Sequence, residues 1–151
     1  WAMEFLNTQN VNPSYELQLP YGVYLSARMN AELGTTYDIQ KMVNWCFDVG
    51  PLRSWGAIVG TWGGYDCSGL IGEVNGSNDY SFAMNTFEQV GALVPMVRYD
   101  DRFARVIGKW VLNAANAARL DQVSRHVRTL ASNTPPRPAS VPAPEPWERD
   151  G

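Results

Sequence analysis

Apolar residues recur at helical spacing along much of the chain, beginning with two neighbouring stretches. Residues 20–33 open with Pro20, which suits the first position of a helix, and precede Gly34, a common helix stop. From position 39, one helical face collects Ile39, Met42, Val43, Cys46 and Phe47. We therefore predict helices over 20–33 and from 39 to about Asp48, which form an antiparallel hairpin.

Polar residues and helix breakers mark the ends of the second helix. Thr35 and Asp38 have the spacing of a capping box, with Asp in place of the usual Glu. Gly50 and Pro51 follow its last apolar residue and predict that the helix stops there.

The helical period returns at Asp79 and continues to the end of the apolar part of the chain. Pro95 should kink or end the third helix near Leu93 or Val94. Asp100 or Asp101 can cap a fourth helix over 103–131. Its apolar face, which places Trp110 in the core, contains Phe103, Val106, Ile107, Trp110, Val111, Ala114 and Ala118. A cluster of alanines at 114–118 predicts a close helix neighbour.

Three segments lack this period. Residues 1–19 predict an irregular arm with at most a short turn, because asparagines and Pro13 interrupt them. Residues 49–78 are rich in glycine and predict a long loop between the two hairpins. Residues 132–151 form a proline-rich tail with little to bury, which we expect either to lack fixed structure or to pack on a partner.

The expected fold class is therefore all-α, with two helical hairpins in one domain over 1–131. A net charge of −3 argues against a cationic surface for non-specific binding of nucleic acid. No apolar run approaches the roughly 20 residues of a membrane span, so we expect no membrane partner.

Two cysteines and one histidine restrict the possible chemistry. One chain cannot supply a zinc site of four cysteines, or of two cysteines with two histidines, so no metal site is predicted. Cys46 and Cys67 are either free thiols or one disulfide, and both interpretations stay open. The glycine-rich stretch matches neither a P-loop nor a dinucleotide fingerprint, so no cofactor is predicted.

Aromatic residues beside flexible backbone are the first candidate for function. Trp–Gly pairs at 55–56 and 62–63 place flat rings where a sugar could stack on them. The substrate-binding candidates are Trp45, Trp55, Trp62 and Tyr65. The alternative is that these rings only close the top of the helical core.

Carboxylates near the same stretch are the second candidate. Glycosidic cleavage needs two carboxyl groups across the scissile bond, one protonated and one ionised. Asp66 has the best position, and Glu88 or Asp48 would complement it. Each of the three could instead be a solvated or capping carboxylate.

Four stretches suggest a family. Residues 44–48 (NWCFD), 62–72 (WGGYDCSGLIG), 80–88 (YSFAMNTFE) and 109–120 (KWVLNAANAARL) resemble a segment of large secreted bacterial proteins with (α/α)-toroid, or six-hairpin, domains that act on polysaccharides. The resemblance covers roughly residues 15–120.

The resemblance implies an active cleft lined by aromatic and acidic residues on the loops between hairpins. It also implies a secreted or periplasmic location. A closed toroid of about twelve helices needs about 200 residues or more. We therefore expect this chain to be a fragment of such a domain, whose exposed helix faces would favour homo-oligomers.

The leading functional hypothesis is a hydrolase that cleaves a polysaccharide or oligosaccharide by carboxylate acid/base catalysis. The first alternative is a carbohydrate-binding or assembly module without catalysis. The second alternative is a small esterase-like hydrolase that uses Ser68 or Cys67 with His126.

Overall fold

A computed structural model describes residues 1–62, 64–74, 80–81 and 83–132, without the side chains of Trp62, Tyr80, Ser81 and 121–132. Residues 133–151 of the predicted tail, Asp79 and the side chain of His126 therefore lie outside the described part. In the described part, most residues are helical, and the elements are α1 (Ala2–Thr8), α2 (Gln18–Leu33), α3 (Ile39–Trp45), β1 (Trp55–Ala57), β2 (Thr61–Trp62), β3 (Tyr65–Asp66), β4 (Ile71–Glu73), β5 (Tyr80–Ser81), α4 (Ala83–Met96), a 3-10 turn (Asp101–Phe103) and α5 (Ala104–Ser132).

The N-terminal arm is more ordered than its sequence predicts, since it contains the seven-residue helix α1. Leu6 is buried, and its Cδ2 atom lies 3.0 Å from where a Cβ atom on Gly22 would be. A helix this short depends on packing rather than on intrinsic propensity, which explains why the sequence pattern did not reveal it.

Helix α2 begins two residues before the predicted start. Pro20 is its third residue, where the missing N–H costs no hydrogen bond because the first four amides of a helix have no intrahelical partner. The helix ends as predicted at Gly34, which has a left-handed φ of 70°.

Helix α3 is shorter than predicted and has a different cap. Its N-cap is Asp38, whose carboxylate accepts a hydrogen bond from the Lys41 amide at 3.0 Å. Thr35 instead donates to the Asn30 side chain. Beyond Trp45 the chain leaves the helix, and its carbonyl groups accept hydrogen bonds from the side chains of Asn12 and Gln89.

The predicted loop over 49–78 contains strands, so the all-α prediction was only partly correct. Strands β1, β4 and β5 form an antiparallel sheet in the order β1-β4-β5, and β2 and β3 form a separate hairpin. Gly56 pairs with Gly72 in the sheet. A Cβ atom on Gly56 would lie 2.9 Å from the backbone of Val49, so only glycine fits there. Strands of two or three residues are too short to show a period-2 pattern.

Helix α4 continues to Met96, beyond the predicted stop. Pro95 lies in its last turn, where it removes only one possible hydrogen bond. Asp100 precedes the 3-10 turn but does not cap it, because its carboxylate binds the Arg102 guanidinium at 2.6 and 2.8 Å. Helix α5 then runs as predicted, within a residue or so at each end.

Two hydrophobic clusters stabilise the fold. The larger cluster contains residues from all five helices and from the three-stranded sheet. It includes Trp110, which confirms that this residue lies in the core as predicted. In the smaller, Ala117 and Ala118 of α5 contact Ile58, Cys67 and Leu70. The alanine cluster therefore packs on the base of the β2–β3 hairpin, and Ala83 at the start of α4 packs against the same cluster.

Candidate functional site

The β2–β3 hairpin stands on a ladder of backbone hydrogen bonds. Ile58 and Leu70 are joined by an amide-to-carbonyl bond of 2.8 Å, and the Gly69 amide donates to the Ile58 carbonyl at 2.9 Å. Nearer the tip, the Cys67 amide donates to the Gly60 carbonyl at 2.9 Å. The Gly60 amide donates to the Ser68 hydroxyl at 3.1 Å. These bonds fix the backbone on both sides of the hairpin.

Helix α5 anchors the base of this hairpin. The indole nitrogen of Trp110 donates a hydrogen bond to the Gly69 carbonyl. Gly69 has a φ of 99°, and a Cβ atom there would lie 3.2 Å from the Ala114 nitrogen and from the Asn113 Cβ. The close approach and the positive φ both require glycine at position 69.

The hairpin brings predicted aromatic and acidic residues together. Tyr65 pairs with Trp62 across the two strands, and Asp66 pairs with Thr61. The Tyr65 side chain is exposed, at 39% of its full surface. The side chain of Trp62 lies outside the described part.

Local hydrogen bonds favour the ionised form of Asp66. Its carboxylate accepts from the Ser68 amide at 2.9 Å, in a tight turn of the Asx type. Hydrogen bonds from the Ser68 hydroxyl and amide lower the pKa of Asp66 below its ordinary value. Desolvation acts in the opposite direction on this pKa, but the hydrogen bonds from Ser68 outweigh it.

The other two candidate carboxylates lie on other elements. Glu88 is exposed on α4, whereas its neighbours Thr86 and Gln89 are buried. Asp48 is exposed just after α3. Among the described residues, no hydrogen bond or ion pair joins any two of Asp66, Glu88 and Asp48.

Two of the candidate tryptophans are away from the hairpin. Trp55 is only 6% exposed and belongs to the larger core cluster, so its ring has little surface for a ligand. Trp45 is half-buried at the end of α3, with the Lys41 ammonium 5.2 Å from its ring centroid. Burial therefore agrees with the core-closing alternative for Trp55.

The sequence reasoning missed an ion cluster beside Trp55. The Arg53 guanidinium binds the Glu16 carboxylate, lies 3.7 Å from that of Glu73, and is 5.3 Å from the Trp55 ring centroid. The cluster ties the N-terminal arm to the sheet. Glu73 pairs with Trp55 in the register of the strands, which no sequence signal specifies.

A second feature that was missed is the outward face of α5. Arg105, Lys109 and Arg119 are exposed there, and none forms an ion pair with another described residue. We call these three residues the basic face. Their spacing is visible in the sequence, because no Asp or Glu occurs between positions 102 and 120.

Cys46 and Cys67 are both buried and are not joined in a disulfide, and burial raises the pKa of the Cys46 thiol. Across the described ranges, no three His, Cys, Asp or Glu side chains lie together as a metal site would require. Every described helix is too short or too polar to cross a bilayer.

Comparison of the chain with models of known protein families, with curated proteins and with solved structures finds no match. The site must therefore be interpreted from its own geometry.

Proposed function

We propose that this chain is a carbohydrate-binding helical module whose ligand surface is the β2–β3 hairpin. The main supporting observation is that exposed Tyr65 is adjacent in sequence to a carboxylate whose pKa is lowered, on a hairpin anchored to a core helix. Aromatic rings offer a flat apolar face to a pyranose, and an ionised carboxylate accepts hydrogen bonds from hydroxyl groups.

Rigidity of the hairpin favours binding. The hydrogen bonds at Ile58, Gly60 and Gly69 order the backbone of the hairpin, so we expect little backbone entropy to be lost when a sugar binds. A surface that is already ordered needs fewer contacts to reach a useful affinity.

The helical part of the chain fits an assembly role. Phe5, Leu25, Val106 and Leu112 are exposed apolar side chains on three different helices. Such residues favour packing against further helices. We propose that the chain forms part of a larger toroid-like arrangement, or associates with a second copy, through these faces.

Hydrolysis is a second candidate function, which the ionised Asp66 favours. A carboxylate with a lowered pKa suits the role of nucleophile or base, and the reaction also needs a protonated carboxyl group on the other side of the scissile bond. Glu88 and Asp48 are the candidates for that second carboxyl group.

One set of variants tests both candidates. A panel of soluble polysaccharides would be run in affinity gels and assayed for reducing ends, with wild type, Tyr65→Ala and Asp66→Asn. Tyr21→Ala is the matched control, because Tyr21 is similarly exposed, at 48%, but lies on α2. We expect retardation by at least one polysaccharide, and its loss in Tyr65→Ala but not in Tyr21→Ala.

The reducing-end assay separates binding from hydrolysis. Product formation that Asp66→Asn abolishes would establish the hydrolase, whereas retardation without product would establish the binding module. Retardation that Tyr65→Ala leaves unchanged would refute the hairpin as the ligand surface.

A further inference from the structure

The outward side of α5 has a charge opposite to that of the whole chain. The chain has a net charge of −3, yet the helix carries three cations and no anion from Ala104 to Leu120. At 3.6 residues per turn, positions 105, 109, 112, 116 and 119 fall within about 80° of one another. They lie opposite the buried residues Ile107, Trp110, Ala114 and Ala118.

This basic face adjoins the hairpin. Asn113 lies between them on the helix surface, and its Cβ is 3.2 Å from where a Cβ atom on Gly69 would be. Asn113 and Asn116 are exposed and supply carboxamide groups between the cations. The basic face therefore begins next to the base of the hairpin that carries Tyr65.

We infer that the ligand is an acidic polysaccharide with carboxylate groups, and that the basic face of α5 binds those groups. The inference rests on the proposed function, because it assigns a charge class to the carbohydrate bound at the hairpin. A rise of 1.5 Å per residue places Lys109 about 6 Å from Arg105 and about 15 Å from Arg119 along the helix axis. Widely spaced cations suit a polymer with one charge per sugar.

Nucleic acid fits this surface less well. A DNA duplex carries one charge per about 1.7 Å, so its binding requires a dense set of cations. The basic face offers only three cations on the described side chains of α5, spread over about 21 Å of helix, which is too sparse a set for a duplex. Carboxamides beside the cations are suited to hydroxyl groups, which sugars present at every ring.

The test uses the full chain with two carboxylate polymers, polygalacturonate and alginate, each beside its neutral methyl ester. The variant Lys109→Gln/Arg119→Gln removes two cations of the basic face. The control Arg28→Gln/Arg98→Gln reaches the same net charge by removing two exposed cations from elsewhere. Melting curves and circular dichroism establish that each variant is folded.

We expect at least one of the two acids to bind about tenfold tighter than its ester at low salt, and the difference to disappear at 1 M NaCl, where the Debye length is about 3 Å. The basic-face variant should bind that acid about threefold to tenfold more weakly, since each exposed ion pair contributes a modest amount. The control variant should bind like wild type.

Three outcomes would overturn the inference in distinguishable ways. If acid and ester bind equally well, and Tyr65→Ala abolishes the binding of both, the proposed function stands but the ligand need not be acidic. Binding of a single-stranded DNA oligonucleotide as tightly as either acid would indicate non-specific attraction of anions. Absence of binding to all four polymers and to neutral polysaccharides would refute the proposed function itself.

Discussion

The indole Nε1 of Trp110 donates a hydrogen bond of 2.8 Å to the carbonyl oxygen of Gly69. This bond connects the N-terminal third of the long helix α5 to the base of the β2–β3 hairpin. The Trp110 ring also contacts Phe47 edge-on, with 5.0 Å between ring centroids. One side chain therefore joins the helical core, the segment after α3 and the candidate ligand surface.

Replacing Trp110 tests this connection. Trp110→Phe keeps an aromatic ring but removes the donor, and we expect it to lower the free energy of unfolding by about 1 to 2 kcal/mol. Trp110→Ala should lower it by about 3 to 5 kcal/mol, since the residue is 8% exposed and packs in the core. Urea unfolding measures both values. Equal stability of wild type and Trp110→Ala would contradict the placement.

Two glycine substitutions should have opposite effects on stability. Gly69→Ala places a Cβ atom against α5 at a φ of 99°, and should destabilise the fold by about 1 to 2 kcal/mol or more. Gly108→Ala is the matched control, because no atom lies within 4 Å of its Cβ position. It should stabilise α5 by about 0.5 to 1 kcal/mol. A rise in Tm for both variants would refute the close approach at Gly69.

Thr86 connects helix α4 to the sheet. Its hydroxyl oxygen accepts a hydrogen bond of 2.9 Å from the Ile71 amide, and the side chain is fully buried. Thr86→Val keeps the shape but leaves that amide without this acceptor, so we expect a loss of about 1 to 3 kcal/mol. Thr86→Ser keeps the hydroxyl and should lose less. Thermal unfolding checks this prediction: Thr86→Val should have a lower Tm than Thr86→Ser, and the reverse order would contradict the role of the hydroxyl.

The titration of Asp66 tests the electrostatics of the hairpin. Because the hydroxyl and amide of Ser68 lower its pKa, the midpoint in an NMR titration should fall below the ordinary value of 3.8. Ser68→Ala removes the larger contribution and should raise the midpoint towards that value. A midpoint unaffected by Ser68→Ala would show that the hydroxyl does not bind the carboxylate.

The direction of the stability effect follows from the same shift. A group whose pKa is lower in the folded state contributes stability at pH values above its unfolded pKa, and loses it as the pH falls through the folded pKa. The stability difference between wild type and Asp66→Asn should therefore be constant at neutral pH and change only below about pH 4. A change confined to pH 6–8 would contradict this assignment.

The helices were largely predictable, because apolar residues recur with the 3.6-residue period in α2, α3, α4 and α5. The fold buries the helix faces that these residues form. Gly34 ended α2 as the sequence indicated, since only glycine readily adopts a left-handed conformation there. The exceptions depend on tertiary contacts. Helix α1 is stabilised by contact with α2, and Asp38 rather than Thr35 became the cap because Asn30 engages the Thr35 hydroxyl.

The strands and the site were less predictable. Strands β1 and β4 consist of three residues each, and β1 is fixed partly by a hydrogen bond from its Ala57 amide to the Phe47 carbonyl. The position of Asp66 beside Tyr65 follows directly from the sequence, but its lowered pKa depends on the turn at Ser68. The sequence could not show whether Trp55 is buried or exposed, since the same Trp–Gly pair occurs at 55–56 and at 62–63.

The most direct test of the hairpin as the ligand surface is a backbone amide NMR titration. The probe is a short oligosaccharide cut from whichever polysaccharide the full chain binds. We expect the largest shift changes at Thr61, Tyr65, Asp66 and Ser68, with smaller changes at Lys109 and Asn113 on α5. Shift changes confined to α1 and α2, or none at saturating concentrations, would contradict the account.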